Sequence, residues 1–161
     1  MDIEVRIRGL MMDPATNMPI VMLKDVASDS VIPIWVGIFE ANAIAIEIEK
    51  VAAPRPMTHD LARNVIRHLN ARLERVVITE IKDDTFHAVL WLRQADEPVM
   101  IDARPSDAIA LALRADCPIY VAEHVMQSAK LTAGSAEGPT AEQLRGWLEG
   151  LNDEDLGRYK M

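Results

Sequence analysis

Residues 2–12 alternate in character, with Ile3, Val5 and Ile7 set against Glu4, Arg6 and Arg8. A period of two predicts a half-buried strand. Asp13-Pro14-Ala15-Thr16-Asn17 is turn chemistry, and the apolar run 20–23 predicts the returning strand. A third run, 31–36, ends at Gly37, and the three together predict an antiparallel meander. The period then changes. Ala41, Ile44, Ala45, Ile48 and Val51 recur at helical spacing, which predicts a helix over 38–52. Ile38 and Ile46 carry the apolar surface further round, so Glu40, Glu47 and Lys50 share one narrow polar stripe. A helix with so little polar circumference is either deeply buried or part of a subunit interface. In a chain this short, the interface is the expectation, and with it a homodimer or higher homo-oligomer.

Pro54 and Pro56 end that segment. Leu61, Val65, Leu69 and Leu73 then recur every four residues, with Ala62 and Ile66 beside them. This predicts a helix over 59–73 with the leucine stripe inward and Arg63, Arg67 and Asn70 in solvent. Two β-rich runs, 75–82 and 85–93, meet at Asp83-Asp84 and predict a hairpin, although the usual Asn-Gly or Asp-Gly is missing. A run over 98–102 leads into an Ala/Leu-rich helix over 105–114. A short strand over 118–121 and an extra turn over 122–126 follow. The fold class expected is α+β, with a mixed, mainly antiparallel sheet and three main helices.

The end of the chain reads differently. Residues 127–139 are small and polar and predict a flexible linker after a domain over 1–126. Thr140 and Gln143 have capping-box spacing, and Leu144, Trp147, Leu148 and Leu151 give an apolar face. A small C-terminal helical appendage is therefore expected within 140–161.

The richest chemistry lies at two predicted helix starts. Asp102, Arg104, Ser106 and Asp107 fall within six positions of one another, around Pro105. Pro fits a first helical turn, and Ser and Asp suit caps and first turns. Residues 54–61 echo the corner: Arg55-Pro56, then Thr58, His59 and Asp60, with Thr58 the expected N-cap. A purely structural account makes these groups caps and a corner-holding ion pair. A functional account gives Asp60, Asp102 and Asp107 as ligands of a hard divalent cation or as acid–base groups. In that account His59 is a general acid or base, and Arg55, Arg104 and Ser106 hold phosphate. Arg63 and Arg67 sit one helical turn apart and, with Arg72 and Arg75, offer a possible nucleic-acid track. No aromatic residues are interleaved there, so that segment alone does not support base stacking.

The segments RPMTHDL, TFHAVL and IDARPSDAIALALR, followed by PIYV, resemble the bifunctional nuclease domain family over about residues 1–126. The resemblance implies a metal-assisted nuclease acting on RNA, DNA or both. Asp60, Asp102 and Asp107 would then hold Mg²⁺ or Mn²⁺, and His59 would join them in catalysis. Composition pulls the other way. The 161-residue chain carries a net charge of −8, which argues against strong non-specific nucleic-acid binding. The alternative is a non-catalytic regulatory or scaffold protein that self-associates and binds a protein or anionic ligand. The lone Cys117 excludes an internal disulfide and reads as a small buried residue. With no span-length apolar run and no basic, apolar leader, a soluble cytoplasmic protein without a membrane partner is expected.

Overall fold

The computed structural model describes residues 1–129. The first meander forms as the alternation predicts, from β1 (Asp2–Met12), β2 (Pro19–Asp25) and β3 (Val31–Trp35). Two helices follow, α1 (Ile38–Ile48) and α2 (Thr58–His68). A second antiparallel meander comprises β4 (Ala71–Lys82), β5 (Thr85–Gln94) and β6 (Glu97–Ala103). Then come α3 (Pro105–Ala115), β7 (Ile119–Ala122) and α4 (Glu123–Ala129). The sheet has seven strands in the order β3-β2-β1-β7-β4-β5-β6. β7 pairs antiparallel with β1 and parallel with β4, so the last strand joins the two meanders into one mixed sheet.

The β4–β5 turn shows how the hairpin forms without glycine. Asp83 and Asp84 both adopt positive φ, 50° and 59°. A two-residue type I′ turn requires that conformation at both positions, and aspartate tolerates it better than most residues. Ala95 and Asp96 repeat the geometry between β5 and β6, with φ of 48° and 63°.

α3 is the central helix, packed on α1, α2, β4 and β5. Its small residues Ala108, Ala110 and Ala112 are buried with Ile109, which lets its neighbours approach closely. α1 buries all of 41–46 within its own chain. Intrachain burial thus accounts for most of the apolar circumference that the sequence suggested was an interface. Ile38 and Phe39, in its first turn, remain exposed.

α2 corrects the reading of its stripe. The helix ends at His68, Leu73 belongs to β4, and Leu61, Val65 and Leu69 face outward. The half-buried face carries His59, Ala62, Arg63 and Ile66, of which Ala62 and Ile66 pack on the core. Polar pairing at the first turn sets this orientation, as described below. α4 also extends past the expected boundary: it runs through Ala129, with Ser128 Oγ donating to the His124 carbonyl at 2.8 Å. The rest of the expected linker 127–139 and the appendage 140–161 lie outside the described residues. Among the described residues no helix is long and apolar enough to cross a membrane.

Candidate active site

Three helices begin with a carboxylate at the third helical position: Glu40 in α1, Asp60 in α2 and Asp107 in α3. Unpaired N–H groups and the positive dipole end favour an anion there. The two aspartates nevertheless meet different partners. Asp60 Oδ2 accepts the Met57 N–H at 2.9 Å, so Met57 is the N-cap and Thr58 the first helical residue. Asp60 Oδ1 accepts from Arg114 Nε at 2.8 Å. The Arg114 side chain is 1% exposed. It also donates from Nη1 to the Ala110 carbonyl and from Nη2 to the Ala43 carbonyl, both at 3.0 Å. One guanidinium therefore ties the last turn of α3 to α2 and α1.

Asp107 faces the other way. Its Oδ1 lies 2.8 Å from His59 Nε2, and its Oδ2 accepts from Arg104 Nε at 2.8 Å. Arg104 Nη1 then reaches Glu40 Oε1 at 2.9 Å. The Glu40 carboxylate lies back over Gly37, so close that a Cβ there would collide with it. The result is a chain of contacts, Glu40–Arg104–Asp107–His59, across the starts of α1, α3 and α2. The two corners singled out in the sequence do meet.

Electrostatics keep the carboxylates ionised. Burial alone would push Asp107 up, but the hydrogen bonds from Arg104 and His59 outweigh it and hold the group below its ordinary 3.8. For Asp60, burial is likewise overcome by the Met57 N–H and by Arg114, with Arg63 adding charge. Arg104 is held above its usual value by Asp107 first, with a contribution from Glu40. With an ionised carboxylate at Nε2, a neutral His59 ring carries its proton on that nitrogen. Nδ1 then bears the lone pair, and it has no hydrogen-bond partner among the described residues.

Other expected site residues are dispersed. Asp102 is exposed on the edge strand β6, opposite Val89, and no hydrogen bond or ion pair joins it to Asp60 or Asp107. Among the described residues no three His, Cys, Asp or Glu side chains gather as a metal-binding group. Both oxygens of Asp60 and of Asp107 are already engaged. The expected set of Asp60, Asp102 and Asp107 thus does not fit a shared Mg²⁺ or Mn²⁺. Arg63 is half-buried near Asp60, while Arg55 and Arg67 are exposed without an ion pair among the described residues. Arg72 pairs with Glu74 at 3.3 Å, and Arg75 stacks 4.7 Å over the Trp91 ring. Among the described residues, the arginines of 55–75 thus divide into side chains without an ion pair, Arg55 and Arg67, and side chains already engaged, Arg72 and Arg75.

Sequence reasoning passed over two residues. Glu40 reads as part of a solvated stripe, and Arg114 attracts no attention at the end of its helix. A usable signal existed for Arg114: a single cation closing an Ala/Ile/Leu helix must find a carboxylate if that helix is buried. Cys117 is half-buried against the core rather than fully buried as read, and burial pushes its thiol up to about 11.

Comparison with known proteins agrees with the motif pattern. A protein of Mycobacterium tuberculosis (strain ATCC 25618 / H37Rv), uncharacterized and designated Rv1829, is 37% identical over 162 residues, covering 95% of this chain and 97% of its own length. Bifunctional nuclease 1 of Oryza sativa subsp. japonica is 28% identical over 112 residues, 68% of this chain but 34% of the plant protein. Bifunctional nuclease 1 of Arabidopsis thaliana is 26% identical over 123 residues, 74% of this chain and 38% of that one. The model of the bifunctional nuclease domain matches residues 21–134, a span that contains both helix-start corners and Glu40. On that match, the chain belongs to the bifunctional nuclease domain family.

Proposed function

We propose that the chain is a nuclease that hydrolyses phosphodiester bonds of RNA, DNA or both, using the His59–Asp107 couple for acid–base chemistry. The observation that carries this reading is the 2.8 Å contact between His59 Nε2 and Asp107 Oδ1, made between two helices 48 positions apart in sequence. Asp107 orients the ring and stabilises the imidazolium that forms when Nδ1 takes a proton. In the proposed step, a water oxygen attacks phosphorus and gives its proton to His59. The P–O bond to the leaving oxygen breaks, that oxygen takes a proton from solvent water, and the His59 imidazolium returns its own proton to solvent. Arg104 has Nε on Asp107 and Nη1 on Glu40, which leaves Nη2 for a phosphate oxygen. A divalent cation placed here would compete with Arg104 for Glu40 and Asp107, so no step is assigned to one.

The assay uses purified protein on single- and double-stranded RNA and DNA, with chelator, Mg²⁺ or Mn²⁺. Cleavage that persists in chelator and is lost in folded His59→Gln supports the reading. Cleavage that needs a cation and survives His59→Gln overturns it.

Self-association and a cytoplasmic location belong to the same proposal. Leu61, Val65 and Leu69 on α2, and Val99, Met100 and Ile101 on β6, are exposed apolar side chains. β6 is an edge strand, with open N–H and C=O groups that suit pairing to a second copy. The lone Cys117 suits a reducing compartment. These apolar faces also favour the second reading, a self-associating scaffold. That reading gains if the purified protein forms stable oligomers and cleaves nothing.

A further inference from the structure

We infer that the pocket beside Arg104 binds one unstacked base of a single strand, with the adjoining phosphate on Arg104 and Ser106. The inference rests on the nuclease reading for its substrate class and shares Arg104 with it, but its test falls on Trp35, Phe86 and Ser106, which that reading does not use. The pocket, of about 270 Å³, lies where the end of β3, the β4–β5 turn and the start of α3 come together. Sites for drug-sized molecules are roughly 300–1,000 Å³. A smaller space with aromatic walls suits a single base.

Trp35 and Phe86 supply those walls. Trp35 is 49% exposed, and its indole N–H is fixed on Asp13 Oδ2 at 3.0 Å. A ring already held in place loses little freedom when a base stacks on it. The arginine-rich segment 55–75 lacks aromatics, so the fold brings them from strands far away in sequence.

The polar groups then select one phosphate. Ser106 is 6% exposed and lines the pocket, and its hydroxyl has no hydrogen-bond partner among the described residues. The oxygen itself stays open to the pocket, so a phosphate oxygen there can accept from the hydroxyl without displacing any protein partner. Ser106 is the second residue of α3, where backbone N–H groups also lack helical partners. Arg104 adds its unused Nη2. Asp84, also in the pocket wall, opposes a second phosphate and suits the exocyclic amino group of a base. A duplex would have to extrude a base at a cost of a few kcal/mol, so single strands are preferred.

The test is fluorescence anisotropy with the full chain, in wild type and in a His59→Gln background that suppresses cleavage. The probes are a short labelled single strand and a blunt duplex of equal length. The single strand should bind about tenfold or more tighter than the duplex. Trp35→Leu and Phe86→Leu should each weaken single-strand binding by about tenfold. Ser106→Ala should weaken it less, and the slope of log K against log salt should be about −0.7, the value for one phosphate on a single strand. Circular dichroism checks folding, and Phe86→Leu stands in if Trp35→Leu does not fold. The inference is overturned if the parent binds no single strand, if the duplex binds as tightly, if both aromatic variants bind like the parent, or if the slope corresponds to several phosphates. Cleavage alongside any of those results leaves the nuclease reading standing. Pocket-dependent binding without cleavage keeps the pocket and removes the nuclease.

Discussion

The starts of α2 and α3 carry related devices, an Arg-Pro pair (ahead of the N-cap in α2, at the N-cap and first residue in α3) and an aspartate at the third helical position, yet the two aspartates meet partners of opposite exposure. Asp60 holds Arg114, whose side chain is 1% exposed, while Asp107 holds Arg104, whose side chain is 65% exposed. Around Asp60, each remaining guanidinium contact is a backbone carbonyl, and the assembly clamps three helices. Around Asp107, a histidine takes the second oxygen and Arg104 keeps donors available. Related local chemistry thus becomes a structural joint in one place and a candidate reaction centre in the other. What separates them is how far each partner is removed from water.

The sharpest way to break the comparison is at the reaction centre. His59→Gln and Asp107→Asn should each lower cleavage by about 10²–10⁴-fold, the usual contribution of a positioned acid–base group. Their urea midpoints should fall much less than that of Asp60→Asn, because Arg104, unlike Arg114, is exposed and keeps its water when its carboxylate is lost. Equal activity with lowered stability would make both corners joints.

Asp60→Asn should do the opposite. It leaves the Arg114 charge buried and without its carboxylate, at a cost of about 3 kcal/mol, while activity per folded molecule is retained. Arg114→Met in the Asp60→Asn background should recover part of that loss, since an apolar replacement removes the unpaired charge. A double variant less stable than Asp60→Asn alone would show that the carbonyl contacts, not the charge pair, hold the helices.

Acid should weaken both sites in the same direction. Each aspartate is depressed below its ordinary 3.8, so its contribution is fully present above that value and is lost as pH falls through the lower folded value. Unfolding midpoints measured from pH 7 down to pH 2 should fall on the acid side, and Asp60→Asn should flatten that slope. An unchanged slope would mean that other carboxylates govern acid unfolding.

The smallest effect concerns the outward face of α2. If pairing at the first turn orients this helix, Val65→Glu should change stability by less than about 0.5 kcal/mol, as surface substitutions do. In sedimentation it should shift any oligomer toward monomer. A large loss of stability at concentrations where the protein is monomeric would place the leucine stripe inward after all.

Much of the fold followed from periodicity. The period of two gave β1, the helical spacing gave α1, and the Ala/Leu-rich run after Pro105 gave α3, to within a few residues of their ends. α2 was the instructive failure. Its leucine stripe scores as the inward face, but His59, Asp60 and Arg63 make pairings with α3 or lie close to them, and those pairings turn the leucines outward. Among site residues, the two corners stand out because polar groups crowd an apolar context. Glu40 and Arg114 do not, because their importance depends on which helices become neighbours.

The sequence by itself determined the α+β class, the first meander, the helix starts and the concentration of Arg, His and Asp at two of them. These are local properties, set by side-chain alternation, by proline at a first turn and by unpaired N–H groups that attract carboxylates. Tertiary structure decided the rest. Packing α3 between α1 and α2 brought His59 to Asp107 and gave Asp60 to Arg114, while the order of the strands left Asp102 on a sheet edge and the fold put Trp35 and Phe86 on the walls of one pocket. Pairings of that kind depend on how deeply each partner is withdrawn from water and on which elements lie side by side, and neither quantity exists until the chain has folded.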